Sequence, residues 1–164
     1  VVDQQQLLVI GDKTGRNPMS LDLFLREQDW PIDTAYIDEA VVRCTLEYLT
    51  GQQRITFFNE LHRVMKPDGQ VRLYLPYYAS MNAYSDPYLV WPPFTEHAVY
   101  YLASKSFRDQ NTPHYNQEMK ADFSINYGYS YTPSELVRHD KARDDRVLLN
   151  LNVVQEMVMT LRKL

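Results

Sequence analysis

The stretch Glu60-Leu61-His62-Arg63-Val64-Met65-Lys66-Pro67-Asp68-Gly69-Gln70-Val71-Arg72-Leu73-Tyr74-Leu75-Pro76 constrains the fold more than any other part of the chain. It has the pattern of an amphipathic helix, a tight Pro-Asp-Gly turn, and a buried strand that stops at proline. Ile55, Phe58, Leu61 and Met65 recur at three- and four-residue spacing, so a helix is expected over Gln52 to Lys66, with Pro67 as its stop. The strand is expected over Val71 to Leu75. A helix feeding a strand in this way is half of a βαβ unit and implies a mixed α/β sheet.

The rest of the chain supports that class. Leu7 to Ile10 is a short apolar run ended by Gly11, as in a buried first strand. Gly11 to Ser20 is a loop rich in breakers. Leu21 to Gln28 fits a short helix capped by Ser20, although Leu21, Leu23 and Leu25 also alternate as in a strand. Ile37 to Arg43 is an expected strand, followed by a helical turn from Cys44 to Leu49. Pro76 to Pro93 has the composition of an irregular aromatic loop, and Thr95 can cap a helix through Ala98, Val99, Tyr101 and Leu102. Lys105 to Glu118 is polar and is expected to be loop. Ala121 to Tyr131 alternates as a long half-exposed strand, and Pro133 to Val147 is a charged helix by pattern. Gln155 to Arg162 is an expected final, antiparallel strand, with Met157, Met159 and Leu161 on its apolar face. There is no repeat or linker, so 1–164 reads as a single domain.

Composition narrows the function. A net charge of −4 argues against generic nucleic-acid binding. One cysteine, Cys44, cannot form an internal disulfide, which suits a reducing compartment. No apolar run approaches membrane-spanning length and no signal peptide opens the chain, so a cytoplasmic location is expected. Tyrosine is abundant, 13 in all, and most follow Leu73. Its apolar ring and polar tip suit clefts and interfaces.

Several segments, in order, resemble one family. Thr45-Leu46-Glu47-Tyr48-Leu49 is similar to a Val-Leu-Glu-His-Leu turn, and Val64-Met65-Lys66-Pro67-Asp68-Gly69 to a hydrophobic-hydrophobic-Lys-Pro-Gly-Gly turn. Pro76-Tyr77-Tyr78-Ala79-Ser80 matches a segment after the fifth strand. Asp86-Pro87-Tyr88-Leu89 is similar to Asp-Pro-Thr-His without the Thr-His pair, and Asp122 to Tyr129 to Asp-Phe-x-Phe-x-Tyr-Gly-Tyr. Together they resemble the class I S-adenosylmethionine-dependent methyltransferases over roughly Trp30 to Lys163. The resemblance implies a three-layer Rossmann-like fold: a mostly parallel sheet with an antiparallel C-terminal edge, and S-adenosylmethionine as cofactor. The front of the chain departs from the family. Leu8-Val9-Ile10-Gly11-Asp12-Lys13 is similar to Leu-Gly-Cys-Gly-Asp-Lys, with Val9 in place of the first glycine. The distance from Lys13 to Trp30 is too short for the family's second and third strands with their helix, so the second strand is expected to be missing. The expected function is therefore a degenerate relative, non-catalytic or weakly cofactor-binding, with a tyrosine-rich ligand or partner surface. The alternative is an active methyltransferase that completes its site with a shortened loop or a second chain.

The resemblance implies cofactor contacts at Gly11, Asp12, Asp22, Arg43, Cys44 and Glu47. Three have a plainer reading: Gly11 with Gly15 as an ordinary strand-ending loop, Glu47 as a ligand for backbone amides, Cys44 as a small buried filler. Substrate contacts are implied at Tyr77, Tyr78, Tyr84, Trp91, His97 and Tyr101, whose aromatic rings equally suit a hydrophobic cluster or a subunit interface. His62 reads as a solvated helix residue. His97, His114 and His139 lack the spacing of metal ligands, and no metal is expected. Loss of a strand is expected to expose Leu8, Ile10, Phe24 and Leu25, which points to a homodimer or a protein partner.

Overall fold

A computed structural model describes residues 6–11, 29–131 and 153–164. Among these residues one sheet holds five strands: β1 (Leu7–Ile10), β2 (Ile37–Arg43), β3 (Met65–Pro76), β4 (Phe123–Tyr131) and β5 (Val154–Lys163). Their order is β1-β2-β3-β5-β4. β1 pairs parallel with β2, and β2 with β3. β5 enters antiparallel between β3 and β4, so β4 again runs with the first three strands. This is the mostly parallel sheet with an antiparallel C-terminal edge that the resemblance implied.

Strand register puts one set of side chains on one face. Leu8 and Ile10 lie beside Ala40 and Val42, these beside Val71 and Leu73, and these beside Leu161 and Met159. All eight are buried, and they join one core with residues of the helical layer. That layer is α1 (Gly51–Val64), α2 (Glu96–Ala103) and α3 (Lys105–Asn111) among the described residues. Phe57, Phe58 and Leu61 of α1 are each at most 2% exposed, and burying such a side chain contributes roughly 1.5–3 kcal/mol. Capping secures both main helices. The Thr50 hydroxyl accepts from the Gln53 amide while Gln53 Oε1 accepts from the Thr50 amide, and Thr95 Oγ1 accepts from the Ala98 amide at 3.3 Å.

Four details differ from the sequence reading. α1 stops at Val64, and the Pro-Asp-Gly segment lies inside β3 instead of forming a separate turn. Ile37 pairs with Met65 but Glu39 pairs with Gln70, so residues 66–69 bulge out of the ladder. Asp68 there has φ of 63°, the left-handed region. The buried stripe of α1 runs through Arg54, Phe57, Phe58 and Leu61, one residue earlier than Ile55 suggested. Residues 105–117 are α3 followed by a 3-10 turn, Pro113–Gln117, not loop. α3 forms without an apolar stripe because Ser104 caps it, Lys105 pairs with Asp109, and Arg108 anchors it from inside. Leu8 and Ile10 are buried, and it is Leu7 and Val9 that reach solvent on the opposite sheet face. The expectations for the loop and short helix after Gly11, for the missing second strand, for the helix at 133–147, and for Asp12, Asp22, Phe24, Leu25 and His139 lie outside the described residues. No described helix is long and apolar enough to cross a membrane.

Candidate functional site at the carboxyl edge of the sheet

Open α/β sheets bind ligands beyond the carboxyl ends of their parallel strands. β1, β2 and β3 end together at such an edge. Gly11 is where the chain leaves β1, with φ of +68°. A Cβ there would stand 1.8 Å from the Arg43 carbonyl oxygen and 2.4 Å from Thr45 Oγ1, so no other residue fits. Val9 lies within the strand opposite Val41, two residues before this turn.

β2 delivers the next three candidates. The Arg43 guanidinium stacks on the Tyr74 ring, 3.3 Å from its centroid. Cys44 follows with φ of 47° and is half-buried, so it lines the site instead of filling the core. Glu47, in the 3-10 turn Leu46–Tyr48, is 9% exposed. Its Oε2 has no hydrogen-bond partner among the described residues. Burial pushes its carboxyl up; backbone hydrogen bonds at Glu47 and Thr45 and the charge of Arg54 pull it back, and the charge of Glu156 adds to the rise. Arg43, Cys44, Glu47, Tyr74, Asn82 and Glu156 surround a cleft of about 200 Å³. Chemically it offers one buried carboxyl, Glu47, and one half-buried, Glu156, to a hydrogen-bond donor or cation.

The aromatic candidates do not form one group. Tyr77 is 2% exposed and packs against Tyr78 and Tyr129 at 4.6 and 5.3 Å, so it is a core residue. Tyr129 donates to Glu96, and burial followed by that carboxylate pushes its hydroxyl up. Tyr78 is half-buried and its carbonyl accepts from the Tyr84 hydroxyl at 2.7 Å. Tyr84 and Trp91 stand exposed on the loop beside the cleft, with ring centroids 6.2 Å apart. His97 and Tyr101 sit on α2 against Phe107 of α3 and do not line the cleft.

Two arginines of consequence escaped the sequence reading, and a third residue, His62, is not solvated as that reading had it. Arg54 is buried and donates to the carbonyls of Leu46, Pro92 and Val90 at 3.1, 3.2 and 3.1 Å, with its plane over Phe94. It ties the turn after β2 to the aromatic loop. Its place in the stripe with Phe57, Phe58 and Leu61 was a visible signal. Arg108 is fully buried among carbonyls in the same manner, and its sequence context carried no such signal. His62 is half-buried and not solvated, edge-on to Phe123 at 5.2 Å. Burial, then the charge of Lys163, pushes its imidazole down, and Nε2 has no partner among the described residues. No cluster of three or more metal-ligating side chains occurs among the described residues.

No family model matches the sequence, and no curated protein matches it. Solved structures do. The chain is similar to a SAM-dependent methyltransferase from Archaeoglobus fulgidus, with TM-score 0.58, 13% identity, 96% of this chain and 75% of that one. It is similar to the Burkholderia thailandensis 1,6-didemethyltoxoflavin-N1-methyltransferase, solved with S-adenosylhomocysteine, with TM-score 0.51, 15% identity, 97% of this chain and 72% of that one. Against a Methanosarcina mazei SAM-dependent methyltransferase the TM-score is 0.45 at 16% identity; the match covers 84% of this chain and spans 64% of that one. At these identities the likeness is one of fold: this chain has the Rossmann-like α/β fold of the class I S-adenosylmethionine-dependent methyltransferases.

Proposed function

We propose that this chain is a single-domain, cytoplasmic, methyltransferase-like protein that binds S-adenosylmethionine weakly or not at all and recognises a ligand or protein partner through its tyrosine-rich loop. The observation that carries this reading is the size and lining of the cleft at the carboxyl edge. Its volume of about 200 Å³ lies below the roughly 300–1,000 Å³ usual for a small-molecule site. Arg43 and Tyr74 stack together in its wall, and the side of Gly11 that a Cβ would occupy is filled by Arg43 and Thr45. A cleft of this size and lining supports weak binding of so large a ligand. Beside the cleft, Met81, Tyr84, Tyr88 and Trp91 present a large apolar surface to solvent, as interaction sites do.

Titration calorimetry with S-adenosylmethionine and S-adenosylhomocysteine tests the reading. The expected result is no heat, or a dissociation constant above about 100 µM, weaker than about −5.5 kcal/mol. A low-micromolar constant, about −8 kcal/mol, overturns it. That outcome favours the second reading, a working methyltransferase whose site is completed by a shortened loop or a second chain. One observation supports that reading: Gly11 and Glu47 Oε2, unpartnered among the described residues, flank the edge at which such folds bind ligands.

A further inference from the structure

The aromatic loop carries a second, smaller cavity. Trp91 is 73% exposed and Tyr84 51%, which is unusual for rings that ordinarily contribute to a core. Neither is held loosely. Arg54 donates to Val90 and Pro92, the carbonyls on either side of Trp91, and the Val90 amide donates to the Glu47 carbonyl at 2.8 Å. The Tyr84 hydroxyl is pinned on Tyr78. The two rings stand 42° apart in plane and line a surface cavity of about 140 Å³, closed by Leu89, Pro93 and Asp86.

Asp86 sets the charge of this cavity. Its Oδ2 accepts from the Tyr48 hydroxyl at 3.0 Å and its Oδ1 from the Tyr88 amide at 2.9 Å. Burial and then Asp86 push the Tyr48 hydroxyl up to about 12, so it remains a donor at neutral pH. Both carboxylate oxygens are thus engaged by the protein, and the group contributes its field more than open acceptor sites. The guanidinium of Arg54 lies behind the loop, directed at carbonyls and Phe94 and facing the charge of Glu47.

We propose that this cavity binds an alkylated ammonium group. The faces of Trp and Tyr attract cations through their quadrupoles, and desolvation strengthens the contact. A primary ammonium needs free acceptors for its three N–H donors. A quaternary one has none to satisfy, makes apolar contact through its methyl groups, and gains from a nearby carboxylate without hydrogen-bonding it. Leu89 and Pro93 supply the apolar contact, Trp91 and Tyr84 the π faces, and Asp86 the negative charge. The proposal rests on reading the loop as a ligand surface; it is independent of whether the chain binds S-adenosylmethionine, which the calorimetry above decides with a different ligand.

The test is a titration of the full chain with choline, followed by the indole N–H resonance of Trp91. Trp30, 2% exposed, serves as the internal reference. The uncharged isostere of choline, with carbon in place of nitrogen, is titrated in parallel. The expected result is a saturable shift of Trp91 alone, with the isostere weaker by about tenfold, in the range of a desolvated cation–π contact. Trp91→Ala and Asp86→Asn are each expected to weaken choline binding several-fold, and Leu7→Ala, exposed on β1 and outside the cavity, to leave it unchanged. A peptide bearing trimethyllysine that binds more tightly than choline places the group on a protein chain; the reverse places it on a free small molecule, and either supports the proposal. Equal binding of choline and its isostere, or no response of Trp91 to choline, overturns it. The isostere comparison needs no variant, so a misfolded mutant does not decide the outcome.

Discussion

Two buried arginines hold two corners of this molecule by the same chemistry and to different ends. Arg108 donates to Asn116 Oδ1 and to the carbonyls of Tyr101, Met119 and Ala121 at 2.7–3.0 Å. Its corner leads directly into β4, and Ala121, two residues before the strand, and Phe123, its first residue, are sealed from solvent. Arg54 reaches three carbonyls at 3.1–3.2 Å and lies over Phe94, yet its corner stays unfinished. Glu47 beside it has an oxygen without a hydrogen-bond partner among the described residues, and Trp91 above it stands in water. A buried guanidinium stabilises a loop only while its carbonyls remain paired, so both corners are rigid. The first uses that rigidity to close the core. The second uses it to hold exposed aromatics in place, which is how rigid scaffolds present binding residues.

The comparison breaks or sharpens in three ways. The largest effect is expected for Arg108→Met. It leaves one buried carbonyl, two half-buried ones and Asn116 without their donor, a loss of roughly 3–5 kcal/mol at about 1–3 kcal/mol for each group left unsatisfied. Urea unfolding measures it, and a loss under about 1 kcal/mol would show that the corner closes without its arginine. Arg54→Met is expected to lose less, roughly 2–3 kcal/mol, because part of its loop is already at the surface. Its mark is local: amide exchange should quicken around Val90 and Trp91 and stay unchanged around Ala121. Uniform quickening at both corners would erase the distinction between them.

The smallest effect concerns Glu47→Gln. Because burial raises the native carboxyl above its unfolded value of 4.5, the native state keeps its proton where the unfolded chain has released it. Stability contributed by this group therefore falls as pH rises from about 4.5 through the raised native value. Gln removes the titration, so the variant should be the more stable one at neutral pH and show a flatter stability–pH curve. Superimposable curves for the two proteins would mean that Glu47 is solvated in solution and that the second corner is as complete as the first.

The elements were legible where periodicity and punctuation agree. The apolar run before Gly11, the strand at Ile37 to Arg43, the body of the helix expected over Gln52 to Lys66, and the alternating Met157, Met159 and Leu161 all appear where the pattern placed them. The bulge at 66–69 was not legible. A Pro-Asp-Gly tripeptide favours a turn, and only pairing of Met65 with Ile37 across the sheet extends the strand past it. α3 was missed because helix reading depends on an apolar stripe, and this helix is held by a cap, a surface ion pair and one buried cation.

The site divides in the same way. Gly11 could be chosen from the residue order alone, but the reason that it must be glycine is a carbonyl of another strand. Glu47 and Cys44 were placed at the edge by their position after a strand. The burial of Glu47 and the exposure of Cys44 to the cleft depend on neighbours far along the chain, Arg54, Asn82 and Glu156. Tyr77, Tyr84 and Trp91 look alike in sequence, yet one is core and two are surface. Local pattern by itself determined the α/β class, most strands and helices, and which residues stand at the carboxyl edge of the sheet, because hydrophobic period and turn chemistry act over a few residues. Tertiary structure alone decided which polar groups are buried, which rings meet water and which carbonyls an arginine holds. Desolvation and hydrogen bonding depend on what surrounds a group in space, and that environment is assembled from segments dozens of residues apart.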